Sequence, residues 1–118
     1  MTGQTGYFAG LAAEDIVARD YLRRAHAVAA QRWRGQSGEI DLICRDGDTV
    51  VFVEVKKSRS FARAATRLNR RQMDRICGSA SEFLAGEPRG QLTDVRFDLA
   101  LVDAVGAVNV IENAFTEI

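Results

Sequence analysis

Residues 38–57 read GEIDLICRDGDTVVFVEVKK. Two largely apolar runs flank Arg45-Asp46-Gly47-Asp48, and Asp-Gly between alternating segments is a strong short-range hairpin signal. The spacing predicts strands over about Glu39–Cys44 and Thr49–Lys56. Side chains alternate along a strand, so Glu39, Asp41 and Ile43 share one face while Ile40, Leu42 and Cys44 share the other. On the second strand Phe52, Glu54 and Lys56 stand together, opposite Val51, Val53 and Val55. With Asp46-Gly47 as the two-residue turn, Asp41 falls opposite Phe52 and Glu39 opposite Glu54. Asp41 and Glu54 are then diagonal neighbours on one face, roughly 7–8 Å apart at the backbone.

Charges in such a place need a reason. Like charges opposed on a sheet destabilise it, and burying an unpaired carboxylate is costly. The run TVVFVEVK (49–56) is almost continuously apolar, so its strand reads as buried on both faces, where charges are rarely idle. A divalent cation shared by Asp41 and Glu54 removes both penalties. Two carboxylates with water or phosphate in the remaining positions suit Mg²⁺, or Mn²⁺, rather than zinc. Lys56 projects from the same face toward the same water or phosphate. The competing account is a solvated Glu-x-Lys ion pair. It is the commoner fate of such a triplet, but the apolar flanks and the nearby Asp41 favour the ion site.

Outward from the hairpin, LAAEDIVARDYLRRA (11–25) predicts a helix whose stripe is Leu11, Ala18, Tyr21, Leu22 and Ala25. Glu14 falls on that stripe and should face the sheet; the alternative is an acid favoured by the helix N-terminal dipole. AVAAQRWR (27–34) reads as a strand ending at the turn 35–38. A second helix is predicted over about Arg70–Ala85, striped by Met73, Ile76, Cys77, Ala80 and Leu84 and ended by Gly86 and Pro88. Two more strands, 95–103 and 107–115, close the chain. The order α-β-β-β-α-β-β predicts an α/β fold: a mixed sheet of about five strands with helices on both faces.

At 118 residues, 47% apolar and 27% charged, the chain reads as one globular domain, 1–118, with no apolar run long enough to span a membrane and no secretory signal. Cys44 and Cys77 form no CxxC and have only His26 to join them, which argues against zinc and for reduced, core-packed thiols in a cytoplasmic protein. His26 itself reads as a packed or surface imidazole. The net charge of zero hides a segregation: residues 56–75 carry eight basic residues and one acid, Asp74. Arg59, Arg63, Arg67, Arg71 and Arg75 recur every four residues, one face if helical, with Lys57 and Arg70 beside them. Such a cluster predicts sequence-independent contacts to nucleic-acid phosphates. Phe61 is a candidate for stacking on bases, and Trp33 for anchoring the core beside the hairpin.

GEIDLI (38–43) followed by VFVEVK (51–56) resembles the YraN-like family of small bacterial proteins, whose members resemble nucleases of the restriction-endonuclease-like, PD-(D/E)XK superfamily. GLAAEDIVARDYL (10–22) resembles the family's opening helix, QRWR (31–34) the strand before the motif, and RFDLALV (96–102) and IENAF (111–115) its closing segments. The resemblance implies a restriction-endonuclease-like core and hydrolysis of phosphodiester bonds, of DNA or RNA. Asp41 and Glu54 become the metal ligands, Lys56 the catalytic lysine that assists the attacking water, and Glu14 the helix carboxylate that completes the site. Gln72 stands where the family's helix commonly turns a Lys or Gln to the site, though Asn69-x-x-Gln72 also reads as a capping box. Two departures stand out: Ile40 rather than Pro precedes Asp41, and Arg59 lies one place late for the family's Lys-x-Arg. The alternatives are a non-catalytic nucleic-acid-binding module on the same fold, and an adaptor whose acidic remainder docks a basic partner. Cutting two strands with one small site per chain calls for two chains, so a homodimer is compatible with this reading, although no segment demands one.

Overall fold

The computed structural model describes residues 13–115. Helix α1 (Ala13–Arg23) precedes strands β1 (Ala27–Gly35), β2 (Gly38–Asp46) and β3 (Thr49–Lys57). A short helix α2 (Phe61–Ala65) and the longer α3 (Arg70–Leu84) follow, then a 3₁₀ turn (Gly90–Leu92) and strands β4 (Val95–Val102) and β5 (Val108–Ile111). The five strands form one sheet in chain order, β1-β2-β3-β4-β5. The β3/β4 contact is parallel and the other three are antiparallel. Only the parallel contact needs a long crossover, which α2, α3 and the 3₁₀ turn supply. The predicted mixed five-stranded sheet with flanking helices is what the chain forms.

The sheet is buried on both faces because its central strand is apolar on both. Val51, Val53 and Val55 pack with Leu42, Cys44, Ala100 and Val102 beneath Val17, Ala18 and Tyr21 of α1. Val50 and Phe52 pack with Ile43, Phe97 and Phe115 beneath Ile76, Ala80 and Leu84 of α3. Each such large side chain contributes roughly 1.5–3 kcal/mol on burial. Trp33 joins the α3 side edge-on to Phe83, as an anchor beside the hairpin should. Phe61 is also partly buried, against Ala64, Leu99 and Leu101, so it is packed rather than presented for stacking.

Four local readings are corrected. The first helix ends earlier than its periodicity suggests: Ala25 takes φ +63, and the Ala25 and His26 amides bond back to Leu22 and Tyr21 in a Schellman cap. Leu22 is 56% exposed, and the buried stripe is Val17, Ala18 and Tyr21; Gly10 and Leu11 lie outside the described residues. The last predicted strand stops at Ile111, because Asn113 (φ +51) turns the chain and gives its amide to Asp98 at 2.9 Å. The hairpin turn is Gly47-Asp48, not Asp46-Gly47, since Asp46 pairs with Thr49. Gly47 has φ +60 at the first loop position, where a type II′ turn requires glycine. The basic segment is not one helical face, because the chain breaks between α2 and α3.

A left-handed alanine costs about 1 kcal/mol relative to glycine. Ala25→Gly is therefore expected to raise the unfolding free energy by about 1 kcal/mol in urea titration. An unchanged or lowered midpoint would contradict the cap described.

Candidate functional site

The corrected register brings Asp41 opposite Glu54 instead of diagonal to it: Leu42 pairs with Val53, and one more step joins the two acids. That step is not a regular ladder rung. The Asp41 Oδ2 accepts the main-chain N–H of Val55 at 2.8 Å, so a carboxylate closes the ladder where a carbonyl would otherwise stand. Beside it, Arg32 of β1 takes φ +50 and the β1/β2 pairing skips from Gln31↔Leu42 to Trp33↔Ile40. Ile40 packs on the α3 side together with Ile43, so the alternation of β2 is broken at Asp41.

Glu54 is 3% exposed. Its Oε2 lies 3.1 Å from Lys56 Nζ and 3.5 Å from Arg75 Nη2, while its Oε1 is buried without a hydrogen-bond partner. Glu14 reaches in from α1, half-buried and 3.5 Å from the Arg32 guanidinium. Burial, and next the charge of Asp41, raise its pKa. Burial first, then the Glu54 charge, and also a side-chain hydrogen bond with Glu54, push Asp41 from 3.8 up to about 7 against the opposing Val55 amide and Lys56. Asp41, Glu54 and Lys56, which strand spacing puts on one face, thus form one neighbourhood, and Glu14 borders it from α1.

Among the described residues, no three histidine, cysteine or carboxylate side chains converge into a ready-made metal cage. The donor set nevertheless fits a hard cation. Mg²⁺ needs only one or two carboxylates, with water or phosphate oxygens completing the shell, and a buried carboxylate oxygen without a partner is an unmet demand for a cation or a proton.

Gln72 is not part of this neighbourhood. Its amide accepts from Asn69 N at 3.2 Å while Asn69 Oδ1 accepts from Gln72 N at 2.9 Å, a complete capping box at the start of α3. Of the predicted basic contacts, Lys57, Arg59, Arg63, Arg67, Arg70 and Arg71 are exposed, on the end of β3, the connection after it, α2, the connection to α3 and the first turn of α3. Arg67 donates to the Lys57 carbonyl and Arg70 pairs with Asp74. Arg75 instead turns inward to Glu54, which its place in a four-residue periodicity did not disclose.

A second buried acid went unread in the sequence. Asp98 is fully buried and accepts from Tyr21 Oη at 2.6 Å, from Arg96 Nε and Nη2 at 2.9 and 3.0 Å, and from Asn113 N. An acid inside the apolar run RFDLALV was the same signal that singled out Glu54. His26 belongs to this network: it packs edge-on to Tyr21, and its Nε2 lies 3.1 Å from Arg96 Nη2. It is a packed imidazole, as expected.

A mixed sheet clad by helices on both faces, with buried Glu54 beside half-buried Asp41 where its central hairpin opens, defines a small α/β protein. The model of the uncharacterised protein family UPF0102 matches residues 13–102, and the chain belongs to that family. It is 68% identical to a UPF0102 protein of Cereibacter sphaeroides over 98% of both chains. A UPF0102 protein of Ruegeria pomeroyi is 59% identical, over 96% of this chain and 92% of its own. One of Dinoroseobacter shibae is 46% identical over 94% and 83%. No helix among the described residues is long and apolar enough to cross a membrane.

The folded chain holds the Asp41 proton up to about pH 7, the unfolded chain only to 3.8. The stabilisation is complete below the unfolded value and is lost as pH rises through the folded one. In chelator, wild type is expected to lose thermal stability between about pH 4 and pH 7. Asp41→Asn can still accept from Val55 N–H and should flatten that slope and melt above wild type at the alkaline end. Equal slopes would place the proton elsewhere.

Proposed function

We propose that this protein is a Mg²⁺- or Mn²⁺-dependent nuclease. The observation that carries the reading is Glu54: a buried carboxylate with one oxygen neutralised by Lys56 and Arg75, the other without a partner, and Asp41 beside it. Asp41 is half-buried, and two such acids side by side work against folding once both are charged. A divalent cation held by Asp41 and Glu54 would supply Lewis-acid polarisation of a phosphate oxygen and a lowered pKa for a bound water. Lys56 stands 3.1 Å from Glu54 Oε2, in position to orient a water or to stabilise negative charge developing on the phosphate. Glu14, held by Arg32, extends the acidic wall from the α1 side. The exposed Lys57, Arg59, Arg63 and Arg71 would bind the polynucleotide backbone around the site without reading its sequence. The Asp41…Glu54-Val55-Lys56 order resembles the PD-(D/E)XK pattern and supports the same reaction, with DNA the first substrate to try.

The second reading, a non-catalytic nucleic-acid-binding module, draws on the two cations already at Glu54. Titration calorimetry of Mg²⁺ and Mn²⁺, followed by cleavage assays on labelled DNA and RNA, separates the two. Wild type is expected to bind the ion and to cleave. Asp41→Asn with Glu54→Gln should lose binding, and Lys56→Ala should lose about 100-fold or more in rate while still binding. Metal-independent nucleic-acid binding with no turnover would establish the module instead.

The basic surface makes a separate prediction. The logarithm of the DNA association constant should fall linearly with that of salt, and Arg63→Ala or Arg71→Ala should each reduce the slope by about 1. A slope unaffected by either change would remove α2 and α3 from the interface.

A further inference from the structure

The two arginines that tie this fold together make short paired contacts. Arg45 meets Glu87 at 2.6 and 3.0 Å, and Arg96 meets Asp98 at 2.9 and 3.0 Å. Arg75 does not. It has one contact with Glu54, at 3.5 Å, and its Nε is buried without an acceptor. A buried donor left unpaired costs on the order of 1–3 kcal/mol. Among the described residues no other arginine has a buried nitrogen without a partner.

The stem of Arg75 is nonetheless firmly placed. It crosses the start of β2 so closely that a Cβ on Gly38 would stand 2.3 Å from its Cδ and 2.7 Å from its Cγ. Gly38 also has φ +139, so glycine is demanded both by backbone conformation and by this passage. Gly38 is in turn held by α3, through Ser79 Oγ donating to its carbonyl at 2.7 Å. The passage delivers the guanidinium to the edge of the acid site, where the side chain is still 37% exposed. Its two Nη groups lie on one guanidinium plane, a fork that suits two oxygens of a phosphodiester. The positive charge meanwhile bears on Glu54, where it opposes a divalent cation.

We infer that Arg75 couples metal loading to nucleic-acid binding. Without nucleic acid, its guanidinium neutralises Glu54 and lowers the site's affinity for a divalent cation. When a phosphodiester arrives, the two Nη groups of Arg75 donate to its non-bridging oxygens, Glu54 is released, and the cation binds more tightly. The same coupling makes the polynucleotide bind more tightly once the cation is in place. This rests on the assignment of Asp41 and Glu54 as the ion site.

The test is Mn²⁺ titration calorimetry on wild type, Arg75→Gln, Arg75→Lys and Asp41→Asn/Glu54→Gln. Each is measured alone and with single-stranded DNA or RNA oligonucleotides carrying non-cleavable phosphorothioate linkages. Wild type should bind Mn²⁺ weakly alone and about fivefold or more tightly with oligonucleotide. Arg75→Gln should already bind tightly alone and gain nothing from oligonucleotide. Arg75→Lys keeps the charge and the stem but loses the fork. It should bind Mn²⁺ like wild type alone and lose the gain, which keeps the test decisive if Arg75→Gln fails to fold. If wild type binds Mn²⁺ through Asp41 and Glu54 while Arg75→Gln binds no more tightly, the coupling is wrong and the ion site stands. A gain retained in full by Arg75→Lys would overturn it too. No Mn²⁺ binding by wild type, with or without oligonucleotide, would overturn both the ion site and the coupling.

Discussion

One main-chain amide, that of Val55, bonds to a side chain instead of a neighbouring strand, and the centre of the molecule is arranged around that exchange. The β2/β3 ladder runs as far as Leu42↔Val53 and then gives way to the Asp41 carboxylate, whereas the β3/β4 ladder continues to Lys57↔Val102. Glu54 and Lys56 therefore stand on a stretch of the central strand that keeps its neighbour on one side and has lost it on the other. A sheet interior is ordinarily closed by its ladders, and here the β2/β3 ladder opens within it beside Glu54.

The chain treats its two buried acids differently, and the contrast gives the site its meaning. Asp98 is surrounded by donors on both oxygens: a tyrosine hydroxyl, a bidentate guanidinium and a backbone amide. That is how a carboxylate is held when its role is to tie α1, β4 and the closing segment together. Glu54 has both of its cations on one oxygen and none on the other. The same sequence that satisfies one acid fully leaves the other partly satisfied, beside a second acid whose proton affinity is raised.

Much of this was legible before any coordinates, for identifiable reasons. Strand alternation is a property of the backbone alone, so Asp41, Glu54 and Lys56 could be assigned to one neighbourhood from their spacing. The register was off by one turn position because Asp-Gly and Gly-Asp are both present at 46–48, and only the conformation of Gly47 chooses between them. Both placements keep the same face, which is why the site survived the slip. Gln72 was open between cap and site; the capping box with Asn69 decides for the cap. Arg75 was hidden because periodicity groups residues by spacing and says nothing of a break such as that between α2 and α3. The end of α1 was hidden because an alanine, not a glycine, takes the left-handed position.

The parallel junction at the centre of the sheet also fixes an order of assembly. Asp41, Glu54 and Lys56 lie on one hairpin, whose closure is local and fast, whereas Val50 must wait for Val95 and Glu54 for Arg75 until the crossover has formed. Non-local pairing of this kind is the slow part of folding. During that interval the acids are together and still wet, screened by water and one lysine. The guanidinium of Arg75 reaches Glu54 only with α3 in place, so α3 supplies one of the two cations that offset this acid in the folded chain.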